Sequence, residues 1–261
     1  MNRVAPYQLA AEQYYRQMTG KNCTIKVKVD PVTSYAAALT NTKTLYLHPL
    51  TLIEPNDLPP SLRVNGPNDP KLKSPHYFRQ LKSYLAKTFN VDPGKLSNLR
   101  SIFDMHLRTW KNPNLIKRIK RFAIAHEVGH IFYEHTTKSW DRFFGYLISV
   151  ILSLALFELL PFLAAILCTI AIADISYRAF KALREYSEQY QEKEADLKAL
   201  EVTRDFIGAR AFFKALDKGY KNDWKNLNLV EKCKRYFLYP ETLFHISHPS
   251  PQTRINYLRK A

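Results

Sequence analysis

The 261-residue sequence predicts an α+β fold, predominantly helical, interrupted by one long apolar segment. Three observations predict it. Runs that alternate apolar and polar residues, as half-buried strands do, are confined to the first 50 residues, at CTIKVKV (23–29) and TLYL (44–47). Beyond residue 75 the apolar spacing is mostly helical, with start and stop signals at its ends. Residues 143–177 contain no Lys or Arg, and Glu158 and Asp174 are their only charges.

The elements follow in order. Residues 1–53 hold a short amphipathic helix (YQLAAEQYYRQM, 7–18) and the strands of a small sheet. Residues 54–75 contain six prolines, which no helix tolerates at that density, so they form a Pro-rich surface loop. Residues 76–142 are helical, over about 76–90 and 97–110, with a break at Asp92-Pro93-Gly94. Asn112-Pro113 then sets an N-cap before a proline at the first helical position, and that helix reaches about Glu134. The apolar segment occupies 143–177. Residues 178–261 begin with a charged helix to about 206 and end in a short helix started by Ser250-Pro251.

Lys and Arg number 39 against 23 Asp and Glu, a net charge of +16, with 46% hydrophobic residues. These averages exclude a disordered chain, a collagen, a small disulfide scaffold and a bundle of many membrane spans. The charge points to an anionic partner, nucleic acid or a membrane surface. Cys23, Cys168 and Cys233 form no C-x-x-C pair, so neither a disulfide framework nor a cysteine zinc site is expected. Arg3, Glu12 and Arg16 interrupt the first 20 residues, so no signal peptide is expected.

The chemistry centres on His-Glu-Val-Gly-His at 126–130. On a helix His126 and His130 share one face and can hold one zinc ion, with Glu127 beside them to take a proton from water. A metzincin would continue with Gly at 133 and His at 136. Tyr133 and Thr136 stand there instead, so that layout is excluded. The alternative is a carboxylate from a later helix. Residues 192–196 read Glu-Lys-Glu-Ala-Asp, which puts Glu192 and Asp196 on one face. Glu192 can bind the metal while Asp196 orients a ligating histidine, with Glu185 and Glu188 as rivals on spacing alone. Glu194 is expected to point elsewhere and pair with Lys198 on the surface. His135 is expected to face away from His130, and both it and Tyr133 to be structural.

HEVGH at 126–130, EKEAD at 192–196 and SHPSPQTRINYL at 247–258 resemble, in that order, family forty-eight of the metallopeptidases, which includes HtpX and the CAAX prenyl proteases. The resemblance covers residues 120–142 and 178–261. It implies a zincin-like metallopeptidase domain of the gluzincin kind, interrupted here by an apolar membrane hairpin. It implies one Zn2+ per chain bound by His126, His130 and Glu192, with Glu127 as general base and acid. Asp196 would support a ligand from behind. His248 and Arg254 would lie near the site, His248 as oxyanion donor and Arg254 bracing the ligand helix.

Residues 143–177 are long enough to cross a bilayer once. One crossing would separate His130 from Glu192, so the chain must return to the side it left. Glu158 and Pro161 mark the turn of a hairpin, re-entrant or made of two short spans. The bland alternative is an apolar helical pair buried in a soluble protein. Lys138 and Arg142 precede the segment, and Arg178, Lys181 and Arg184 follow it, which suits two cytoplasmic ends. Residues 1–142 carry 22 basic and 10 acidic groups (+12), 143–177 carry −2, and 178–261 carry 17 and 11 (+6). The positive charge therefore flanks the apolar segment, as expected of a domain held against an anionic membrane.

The resulting expectation is a membrane-associated zinc endopeptidase. It would cleave protein or peptide substrates with a metal-activated water, its catalytic domain facing the cytoplasm. A basic nucleic-acid- or membrane-binding module would use Lys117-Arg118-Ile119-Lys120-Arg121, but no nucleic-acid-binding fold signature accompanies that run, and nucleic acid is not expected. A cytosolic repressor-cleaving protease of the ImmA/IrrE type would share HExxH but not SHPSPQTRI or the apolar segment. An inactive adaptor would not need Glu127 and three intact ligands.

Overall fold

Proline and apolar spacing set the first helix. Pro6 lies in the opening turn of α1 (Ala5–Thr19), and Gly20 ends it in the left-handed region (φ 72°), its N–H donating to the Arg16 carbonyl. The computed structural model of the chain describes residues 3–33, 35–66, 69–96, 99–100, 102–103, 112–135, 151, 162–226, 229 and 248–261.

Three strands follow α1: β1 (Lys26–Val29), β2 (Ala36–Leu39) and β3 (Thr44–Leu47). The sheet order is β1-β3-β2, with β1 parallel and β2 antiparallel to the central β3. Leu45 sits between Val27 and Ala38, and Tyr46 between Lys28 and Ala37. Strands β1 and β3 fall where the alternation predicts them. β2 reads AAAL, with neither alternation nor β-branched residues, and pairing with β3 alone makes it a strand.

The Pro-rich segment is more ordered than a plain loop. Prolines open three single 3-10 turns, Pro55–Asp57, Pro60–Leu62 and Pro70–Lys73. Leu58 and Leu62 are buried between them. Helix α2 (Pro75–Phe89) ends at Asn90 in the left-handed region, and the Asp92 side chain accepts from the Gly94 N–H at 2.7 Å to form the predicted break. Most of the helix expected at 97–110 lies outside the described residues.

Helix α3 (Pro113–Phe132) is the centre of the molecule, with Asn112 Oδ1 capping it from the Leu115 N–H at 3.1 Å. One side of α3 (Ile124, Val128, Ile131) packs on α1 and the sheet. The other (Ile119, Phe122, Ala123) packs on α2 and on the C-terminal helices. Phe122 meets Phe212 and Phe213 there, with ring centroids 5.9 and 5.6 Å away. The basic run on α3 is not a continuous charged face. Arg118 makes a two-pronged pair with Asp205 (2.7 and 2.5 Å), and buried Lys120 reaches Glu54 at 2.8 Å.

The second half departs from expectation at its boundaries. Residues 162–203 form one unbroken helix, α4 (Phe162–Thr203), with no Gly or Pro to divide an apolar arm from a charged helix at 177. The helix expected to reach about 206 stops at Thr203. Arg204 turns left-handed (φ 47°), and Asp205 starts α5 (Phe206–Asn226) by accepting from the Gly208 N–H at 2.9 Å. The final helix, α6 (Pro251–Lys260), is capped by Ser250 as predicted, its Oγ accepting from the Thr253 N–H at 3.1 Å.

The mostly helical α+β class with a small sheet therefore holds. An apolar membrane hairpin is not found among the described residues. Its first arm and turn, residues 143–150 and 152–161, lie outside them, and no helix of the described residues is long and apolar enough to cross a membrane.

Candidate metal centre

Helix geometry puts His126 and His130 on one face of α3, four residues apart. Between them Gly129 meets α4 with no side chain. A Cβ at position 129 would lie 3.0 Å from the Ala195 Cα and 3.1 Å from its carbonyl oxygen. Two small residues thus let the helix backbones touch. At that contact Glu192, one turn before Ala195, reaches both histidines.

Glu192 Oε2 lies 3.4 Å from His126 Nε2, and its Oε1 lies 3.4 Å from His130 Nε2. The two Nε2 atoms are 3.2 Å apart. Zinc holds nitrogen and oxygen donors at about 2.0–2.2 Å in a tetrahedron, which puts donor atoms about 3.3 Å apart. Glu192 meets the two histidines through different oxygens, and one donor atom from each of the three residues lies within 4.8 Å of the others, so the nitrogen and oxygen donors are of the kind and at the spacing that one zinc ion can gather. Among the described residues this is the cluster of His, Cys, Asp or Glu that could hold a metal ion. Of the rivals, Glu188 is turned to Arg184 at 2.6 Å, and Glu185 is not in the cluster.

Behind His126 stands Asp196, fully buried, with Oδ1 2.8 Å from His126 Nδ1. Arg254, from α6, donates to Asp196 through Nε (2.6 Å) and Nη2 (2.5 Å), and its Nη1 lies 3.0 Å from Glu192 Oε2. The Arg254 guanidinium also stacks 4.3 Å from the Phe213 ring centre. The Tyr257 hydroxyl donates to Asp196 Oδ2 as well. Tyr257 lies one helical turn after Arg254 on the same face, which is the signal in the sequence that could have placed it at the site. His248 is half-exposed, with Nδ1 3.0 Å from Glu192 Oε1. Glu127, next to His126, is half-buried.

Two expectations are corrected. His135 does not face away: its Nδ1 is 2.9 Å from His130 Nδ1. Glu194 does not pair with Lys198: it lies 3.2 Å from His135 Nε2, while Lys198 pairs with Glu201 at 2.9 Å. The cause is Glu134, whose left-handed backbone (φ 53°) folds the chain back over the end of α3. Tyr133 is partly exposed and stacks on the His135 ring at 5.2 Å.

Residues 115–261 match the sequence model of peptidase family M48. The chain belongs to peptidase family M48. No curated protein and no solved structure matches it. The matched region begins at α3 and includes every residue of the cluster. M48 peptidases are zinc enzymes, so this chain is a metallopeptidase, a hydrolase that acts on protein or peptide substrates.

The carboxylates of this M48 centre favour positive charge beside them. Burial opposes a charge on His126, but Asp196 and Glu192 outweigh it and lift its pKa to about 10. Burial would raise Glu192, but contacts with His126, His130 and His248 hold its carboxyl well below the usual range. Arg254 and His126 do the same for Asp196 against its burial. Burial and neighbouring His130 lower the His135 pKa.

Gly129→Ala should force α3 and α4 apart, because a new methyl would press on backbone rather than on a flexible side chain. Overpacking of this kind costs about 1–3 kcal/mol. The expected outcome is a lower urea midpoint together with weaker zinc binding. Ser or Ala at exposed positions of α3 should change neither.

Proposed function

We propose that the protein is a membrane-associated zinc endopeptidase in which His126, His130 and Glu192 bind the metal. The convergence of those three donor sets beside Glu127 carries the reading. When bound, zinc supplies the Lewis acidity that activates water and polarises a peptide carbonyl. Glu127 takes the proton of the attacking water and returns it to the leaving amine. His248, half-exposed beside Glu192, donates to the oxyanion that develops on the substrate carbonyl. Asp196 holds His126 by its far nitrogen, and Arg254 braces both carboxylates.

Membrane association and a catalytic domain on the cytoplasmic side complete the reading. Residues 143–177 hold no Lys or Arg, and both flanks are basic. Ile175, in α4, is 65% exposed. An exposed apolar side chain such as Ile175 is what a bilayer or headgroup region would accept.

Glu127→Gln should keep zinc and thermal stability and lower casein cleavage by about 10²–10⁴-fold. Cleavage at the wild-type rate would remove Glu127 from the mechanism. On cell fractionation the full chain should sediment with membranes and need detergent for release. Full recovery in the soluble fraction would remove the membrane from the proposal and leave the peptidase.

A further inference from the structure

The geometry points to His135 as a positioning residue that, held by Glu194, orients His130 toward the metal. This rests on the metal centre proposed above. The contacts form an ordered chain from α4 back to α3: Glu194 Oε2 to His135 Nε2 (3.2 Å), then His135 Nδ1 to His130 Nδ1 (2.9 Å).

The direction of these bonds follows from the donors each group has. An ionised carboxylate only accepts, so His135 Nε2 carries a hydrogen and donates to Glu194. A neutral imidazole then has a bare Nδ1, which accepts from His130 Nδ1–H. The remaining nitrogen of His130, Nε2, is left with its lone pair, and that is the atom 3.4 Å from Glu192 Oε1 and 3.2 Å from His126 Nε2. The outer contacts thus select the His130 tautomer whose Nε2, the atom facing His126 and Glu192, keeps its lone pair for a cation.

The chain backbone is shaped to place His135 there. Glu134 adopts a left-handed conformation that a residue with a Cβ rarely adopts (φ 53°). The turn lets the His135 N–H donate to the His130 carbonyl at 3.1 Å, while the Thr40 hydroxyl holds the His135 carbonyl at 3.2 Å. Tyr133 covers one face of the ring, and the His135 side chain is only 8% exposed. The two metal histidines are therefore secured from one helix by two carboxylates. Asp196 contacts His126 directly, and Glu194 reaches His130 through His135.

Zinc affinity of the full chain, measured by competition with a chromogenic chelator, tests this, with the visible spectrum of the Co2+-loaded protein as a second readout. His135→Phe fills the space but accepts nothing, and should weaken zinc binding by about 10–100-fold and change the Co2+ bands. His135→Asn keeps an acceptor near the position of Nδ1 and should recover most of that loss. Glu194→Leu, at a side chain 28% exposed, removes only the outer carboxylate and should weaken binding in the same direction without disturbing the fold. Wild-type affinity in both His135→Phe and Glu194→Leu would overturn the proposal, as would equal losses in His135→Phe and His135→Asn. A wild-type chain that binds no zinc would instead contradict the metal centre itself.

Discussion

Everything at the candidate metal centre depends on two helices meeting at a pair of small residues. Gly129 on α3 faces the backbone of Ala195 on α4, so close that a Cβ there would lie 3.0 Å from the Ala195 Cα. Each small residue is embedded in the motif it serves, Gly129 between His126 and His130 and Ala195 between Glu192 and Asp196. Side chains of ordinary size at the crossing would hold the axes 8–10 Å apart.

Bringing the helices so close creates an electrostatic problem that the C-terminal helix answers. Glu192 and Asp196 are like charges one turn apart, and both are buried. Carboxylates in that arrangement repel each other and lose hydration. Arg254 lies between them, and Tyr257 adds a donor to Asp196. Helix α6 docks on α4 and α5 and brings Arg254 and Tyr257 to the site. Phe213 ties that docking to the core, since it packs against both Phe122 and the Arg254 guanidinium.

Much of this is legible in the sequence because the relevant rules are local. The spacing of His126, His130, Glu192 and Asp196 places each on its helix face, and Asn112-Pro113 and Ser250-Pro251 announce two helix starts. What escapes is set by tertiary contact. β2 is a strand because β3 pairs with it. The charged helix ends at Thr203 because Asp205 caps a new one while bound to Arg118, 87 residues earlier. Spacing alone turns His135 away from His130, and the left-handed turn at Glu134 returns it there. A hairpin boundary at 177 has no local breaker, and α4 runs through it for 42 residues, about 63 Å.

In the proposed centre α3 and α4 together hold one zinc ion, with Glu192 as the ligand from α4. The most direct measurement is the zinc content of the purified full chain beside its Glu192→Ala variant. One zinc per chain in the wild type, and loss of it in a variant that remains folded, is the expected result. Wild-type stoichiometry and affinity in Glu192→Ala would contradict the claim.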